Sequence, residues 1–138
     1  MKKFLTIATL ALFFIACSEE SNESAPTLLR KWYYASVTIN GVTKAENVEG
    51  CDRGFMEFTE NLWQTTIHSK NEENECAVTS SIGEYQVIDL QVYDSSSSAP
   101  LYEIIRLSEE VLVLHYLQAN DIDGDGDLDD VTYTFSRT

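Results

Sequence analysis

From Trp32 onward, apolar and polar positions alternate with a period of two, in short runs separated by turn-forming residues. The run 32–39 (Trp-Tyr-Tyr-Ala-Ser-Val-Thr-Ile) consists largely of aromatic and β-branched residues, which suit a pleated, half-buried surface. Asn40-Gly41 follows. Both residue types tolerate positive φ, so the pair predicts a tight two-residue hairpin into a return strand at 42–45. Residues 54–59 and 62–68 read as two further strands turned at Glu60-Asn61. Beyond a polar turn at 71–75, strands are expected at 76–79 and 82–93. In the second of these the apolar phase slips from Tyr85 and Val87 to Ile88, Leu90 and Val92, which predicts a bulge or a break. A serine-rich loop, 94–100, leads to strands at 101–107, 111–117 and 131–136. Val131, Tyr133 and Phe135 alternate with Thr132, Thr134 and Ser136, so the last strand has one inner face. Residues 111–117 are apolar on both faces, which predicts a central, covered strand.

No segment after residue 26 sustains a helical period. The pattern predicts an all-β domain over residues 27–138, with about eight antiparallel strands in an up-and-down barrel or, alternatively, a β-sandwich.

Residues 1–16 have a different organisation. Lys2 and Lys3 precede an apolar run, 4–15, too short for a bilayer span of about 20 residues but suited to a secretory signal. Phe14 is too large for the −3 position of an ordinary signal-peptidase site. Phe14-Ile15-Ala16-Cys17 instead resembles the lipobox of bacterial lipoproteins, although Phe14 stands where Leu or Val is usual. That resemblance implies cleavage before Cys17, acylation of its thiol and amine, and a membrane anchor made by the lipid. Residues 17–26 then form an acidic, serine-rich tether without apolar periodicity. An acidic run directly after a lipidated cysteine resembles the signal that carries some lipoproteins to the surface of the bacterial outer membrane, the expected location here.

Charge narrows the partners. The chain carries −14, and removing Lys2 and Lys3 leaves −16, a surface that repels nucleic acid and attracts cations. Such acidity would suggest disorder in a chain poor in apolar residues, but 43% apolar and 11% aromatic content supplies a core. With Cys17 acylated, Cys51 and Cys76 remain. In an oxidising compartment they are expected to form a disulfide, and no Cys-x-x-Cys motif points to zinc or redox chemistry.

The order of short motifs adds a family resemblance. Leu-Leu-x-x-Trp32, the Asn-Gly hairpin, a loop cysteine before Phe-Met-Glu-Phe58, and a second cysteine before Gly83-Glu-Tyr85 come first. Tyr-Glu-Ile-Ile-Arg-Leu-Ser108, Leu-Val-Leu114 and Tyr-Thr-Phe-Ser-Arg137 follow. Together they resemble the lipocalin-like domains of small bacterial lipoproteins over residues 27–138. The resemblance implies a barrel closed at one end by Trp32, with Arg137 stacked on it, and an interior able to hold an apolar ligand. Arg30 stands where that family usually has glycine.

Candidate chemistry is sparse, and no enzyme is expected. His68 alternates with Ile67 and is expected to face water, while His115 lies in an apolar strand and suits a core position; neither has partners at catalytic spacing. There is no nucleophile elbow and no phosphate-binding glycine loop. Trp63, Tyr85, Tyr93 and Tyr102 are expected chiefly in the core, with a ligand pocket as the alternative. The sharpest motif is Asp121-Ile-Asp-Gly-Asp-Gly-Asp-Leu-Asp-Asp130. Asp121, Asp123, Asp125, Asp127 and Asp129 fall at alternate positions, a spacing that turns several hard oxygens inward as a chain curls. The run resembles the calcium loops of EF-hands and dockerins, which implies weak Ca²⁺ binding. Thr132 occupies the place of the usual bidentate Glu, so Asp129 or Asp130 must complete the ligand set. The plainer reading is a solvated acidic turn.

Two functions follow as expectations. One is a surface-anchored binding module for a small apolar ligand or a protein partner. The other is a structural accessory of an envelope complex, acting through its outer face. An interior cavity above about 300 Å³ favours the first; a filled core with an apolar outer patch favours the second.

Overall fold

The structure, a computed structural model, describes residues 27–118 and 121–138. The lipobox, Cys17 and the tether lie outside the described residues. Nine strands run in chain order: β1 (Lys31–Ile39), β2 (Val42–Ala45), β3 (Phe55–Phe58), β4 (Leu62–Lys70), β5 (Cys76–Ile88), β6 (Gln91–Asp94), β7 (Pro100–Leu107), β8 (Val111–Tyr116) and β9 (Val131–Ser136). All pairings are antiparallel, and consecutive strands from β3 to β9 are neighbours. β1 closes the ring. One edge pairs β9 along its length, while on the other Lys31–Tyr33 pair β3. The result is a closed up-and-down barrel of eight strands, the lipocalin-like architecture expected, and the sandwich alternative is set aside.

β2 is the ninth strand. It pairs only Ser36–Ile39 of β1, beyond the reach of the four-residue β3. The hairpin turn is the one predicted: Asn40 and Gly41 have φ of 50° and 81°. Register shifts at Tyr34/Ser36, Val92/Tyr93 and Ile104/Arg106 mark irregularities of the kind that let strands bend around a ring.

Two expectations about the strands are corrected. The segment 82–93 is not one strand with a bulge. It is the end of β5, a two-residue turn at Asp89-Leu90 with φ of 50° and 66°, and then β6. The slip in apolar phase marks this reversal. Leu90 hid the turn, because a γ-branched apolar residue rarely occupies a left-handed position. The second correction concerns β8. Leu112 and Leu114 are buried, but Val111, Val113 and His115 sit on a partly exposed outer face.

Paired residues in an antiparallel ladder share a face, so the inner positions can be followed around the ring. Trp32 pairs Met56. Leu112 pairs Phe135, which pairs Tyr34. These residues, with Phe58, Tyr85, Val92, Ile104 and Leu114, make up the core. Trp32, Leu112, Leu114 and Phe135 have no exposed surface.

Candidate functional site

The end of the barrel where β1 begins is filled. The Trp32 indole Nε1–H donates to the Leu28 carbonyl at 3.0 Å, which folds the leading segment back beneath the core. A guanidinium lies 5.3 Å from the centre of the Trp32 ring, but it belongs to Arg30, not Arg137. Arg30 is two residues from Trp32 and reaches it from the segment just before β1. It is fixed by donating to the Glu109 carbonyl at 3.0 Å and to the Glu109 carboxylate at 3.1 Å. Arg137 bends away instead: its backbone N–H donates to the Glu110 carbonyl, and its side chain makes an exposed ion pair with Glu110 at 3.5 Å. The expected stack of Arg137 on Trp32 is therefore replaced by one supplied from the place where the resembling family has glycine.

The interior toward the other end holds a cavity of about 290 Å³. Tyr34 of β1, Trp63 of β4, Tyr102 of β7 and Tyr133 of β9 contribute its aromatic lining, with Glu46 and Asp52 on the loop between β2 and β3. The ring plane of Tyr133 is inclined at 74° to that of Tyr34 and at 80° to that of Tyr102, with centroids 6.0 and 6.4 Å apart. The phenols form walls, not a stack. Burial, followed by neighbouring phenols, raises the Tyr34 and Tyr102 hydroxyls well above the usual tyrosine range. Tyr133 is raised by burial and then by Glu46. These three hydroxyls have no protein hydrogen-bond partner among the described residues, in contrast to Tyr85, which donates to the Thr59 carbonyl at 2.7 Å.

Local sequence explains the room. Gly83 lies against the Trp63 indole, where a Cβ would come within 3.0 Å of Nε1, so the ring lies flat on β5. Gly54 lies against β4, where a Cβ would meet the Thr66 carbonyl oxygen at 2.8 Å. Ser81 and Thr65 are short lining residues. Of the aromatics marked in the sequence, Trp63 and Tyr102 line the cavity, Tyr85 is core, and Tyr93 does neither, its hydroxyl donating to Gln91. Tyr34 and Tyr133 also line it; alternation places Tyr133 on an inner face, but no sequence signal places either residue at a void. His68, expected in water, is half-buried and lines the cavity.

The loop over the cavity is tied down. Cys51 and Cys76 form a disulfide, which joins the 46–54 loop to the first residue of β5. A cross-link closing a loop of this length contributes about 3.5 kcal/mol in the chain-entropy model.

The acidic loop lies between β8 and β9. The carboxylates of Asp121, Asp123 and Asp129 each place an oxygen within 4.8 Å of the others. Asp125, Asp127 and Asp130 are not part of this group. Asp125 accepts from the Asp127 amide at 2.9 Å, and Asp130 faces His115 Nε2 at 2.9 Å. Asp129 is buried. The Ile122 and Asp123 amides and the Asn40 side-chain amide donate to it, and these bonds, that of Ile122 foremost, hold its carboxyl below the usual carboxylate range. Asn40 also accepts from the Asp130 amide at 3.0 Å, so the loop is docked on the β1–β2 hairpin. Gly124 and Gly126, with φ of 83° and 95°, allow the curl that brings their amides to Asp121. His115 is not in the core: it lies on the outer face between Asp130 and Glu103.

No protein-family model and no curated protein matches the chain. Among solved structures it is similar to apocrustacyanin C2 (14% identity, TM-score 0.43), apocrustacyanin C1 (15%, 0.44) and lobster apocrustacyanin A1 (14%, 0.41). Each match covers 80% of this chain and 61% of the other. At these values the likeness carries no functional argument, and the barrel assignment stands on its own closed strand order.

Proposed function

We propose that this chain is a lipid-anchored bacterial envelope protein, displayed at the outer-membrane surface, whose barrel is a binding module for a small ligand. The observation that carries this reading is the aromatic cavity with three unpartnered phenol hydroxyls, inside a barrel otherwise packed to the floor. At about 290 Å³ it lies just under the range of ligand pockets, about 300–1,000 Å³, so its occupant is a small molecule. Apolar walls with a few polar groups are the usual composition of such sites. The role is binding, not catalysis. The test is calorimetry with a panel of small aromatic and aliphatic compounds on wild type and on Ser81→Phe, which fills the lining. Saturable binding lost in the variant supports the module; no binding by any compound overturns it. Anchoring is tested separately: Cys17→Ala should release the protein from membranes.

A second reading, an accessory that docks through its outer face, draws support from Val78, Ile82 and Ile88, which are exposed and fall on even-numbered positions of β5. Co-purification lost in Val78→Ser/Ile82→Ser, with ligand binding intact, would favour it.

In either reading the acidic loop is proposed as a weak Ca²⁺ site centred on Asp121, Asp123 and Asp129. Millimolar Ca²⁺ should raise the melting temperature of wild type but not of Asp123→Ala/Asp125→Ala. An equal shift in both, or none in wild type, rejects the site.

A further inference from the structure

We propose that the cavity selects a small organic monocation, an alkyl or aryl ammonium, over a neutral molecule of the same shape. This rests on the reading of the cavity as a binding site and names the chemistry of its occupant. The charges of the lining are one-sided. Glu46 and Asp52 contribute carboxylates, and no lysine or arginine is among the lining residues. The only lining side chain able to carry a positive charge is His68. Arg53, next to Asp52 in sequence, is engaged elsewhere: it donates to the Tyr34 carbonyl and to Ser136 at 2.9 Å each, and its guanidinium lies 5.5 Å from the Tyr33 ring centre.

Walls and charge act together. An aromatic face is electronegative and attracts a cation within about 6 Å of its centre. Four aromatic residues line the cavity, and Tyr133 stands at steep angles to both Tyr34 and Tyr102, so the rings do not stack it closed. The field of Glu46 reaches that space: it is felt at the Tyr34 and Tyr133 hydroxyls, where it disfavours a second negative charge. The same field favours a positive one. A neutral apolar ligand would gain contact with the walls but nothing from the carboxylates. An anion would be repelled by them. An ammonium leaving water carries a desolvation cost, which the aromatic faces and two carboxylates offset together.

The experiment uses an isosteric pair that differs in charge alone: choline and its carbon analogue 3,3-dimethylbutan-1-ol. Both are titrated calorimetrically into the full-length protein with its disulfide intact. Choline is expected to bind at least about tenfold tighter than the alcohol, a preference of the size reported for desolvated cation–aromatic contacts. Glu46→Gln should lower choline affinity several-fold and leave the alcohol unchanged. Asp52→Asn, on an exposed loop position, provides a second variant should Glu46→Gln fold poorly. Equal or tighter binding of the alcohol overturns the cation preference while leaving the binding module standing. So does an equal loss for both ligands in Glu46→Gln and Asp52→Asn. Failure of both ligands, and of every compound in the neutral panel, overturns the module and the preference together.

Discussion

At the end where β1 begins, Trp32, Leu112 and Phe135 are wholly enclosed and Leu28, Arg30 and Glu109 are bonded beneath them; toward the end where β1 stops, the same strands surround a cavity under a disulfide-tied loop. Both regions are rich in aromatic residues. They differ in where the polar atoms of those residues go. In the floor, the Trp32 N–H and the Tyr85 hydroxyl each meet a backbone carbonyl, so the rings are satisfied and packed. Around the cavity, the Tyr34, Tyr102 and Tyr133 hydroxyls meet no protein group among the described residues. None of the three hydroxyls is sealed from solvent, so a ligand or water entering the cavity can supply the partner that the protein does not. The contrast teaches that partner atoms, not aromatic content, separate a core from a site in this barrel.

The largest effect is expected at the floor. Trp32→Ala should cost about 3–5 kcal/mol of unfolding free energy by removing a fully enclosed indole. Urea denaturation measures this, and a loss under about 2 kcal/mol would contradict a packed floor. Next comes the mouth. The Cys51→Ser/Cys76→Ser protein should lose about 3.5 kcal/mol in the chain-entropy model. Its signature differs from that of Trp32→Ala, because it frees the loop carrying Glu46 and Asp52. Ligand affinity measured where both variants remain folded should therefore fall in the disulfide variant alone.

Arg30 and Arg137 sharpen the picture of the floor. Arg30→Ala should cost about 1 kcal/mol through its lost contact with Trp32 and leave Glu109 unpaired. Arg137→Ala, in an exposed pair, should fall within about 0.5 kcal/mol of wild type. Equal losses would restore Arg137 to the role expected of it. The smallest effect is a gain. Leu90→Gly should stabilise the protein by about 0.5 kcal/mol, since glycine relieves the left-handed strain at a turn where the leucine side chain is exposed, less its own entropy cost. A loss in thermal unfolding would mean that the Leu90 side chain contributes packing that outweighs its strain.

Much of the barrel was legible residue by residue. Val131, Tyr133 and Phe135 announced an inner face, Asn40-Gly41 a hairpin, and the two remaining cysteines a disulfide. The first two are local properties: side-chain direction alternates along any strand, and only a few residue types tolerate positive φ; the disulfide follows from the cysteine count. The β5–β6 turn escaped because its second residue is the wrong type for its conformation. The role of Arg30 escaped because the resembling family usually has glycine at that place, which implies no side-chain contact there.

The sequence by itself determined that this is an antiparallel β domain, which residues share a face of each strand, and that six aspartates converge on one loop region. Only the tertiary structure decided that β1 joins β9, that β2 extends past the short β3, and that Tyr34, Trp63, Tyr102 and Tyr133 meet around a void while Trp32 does not. The physical reason is that a period of two specifies inside or outside but not height or neighbour. In a closed ring those depend on the register of every strand pair at once, and a cavity is the space that remains when all the registers are set.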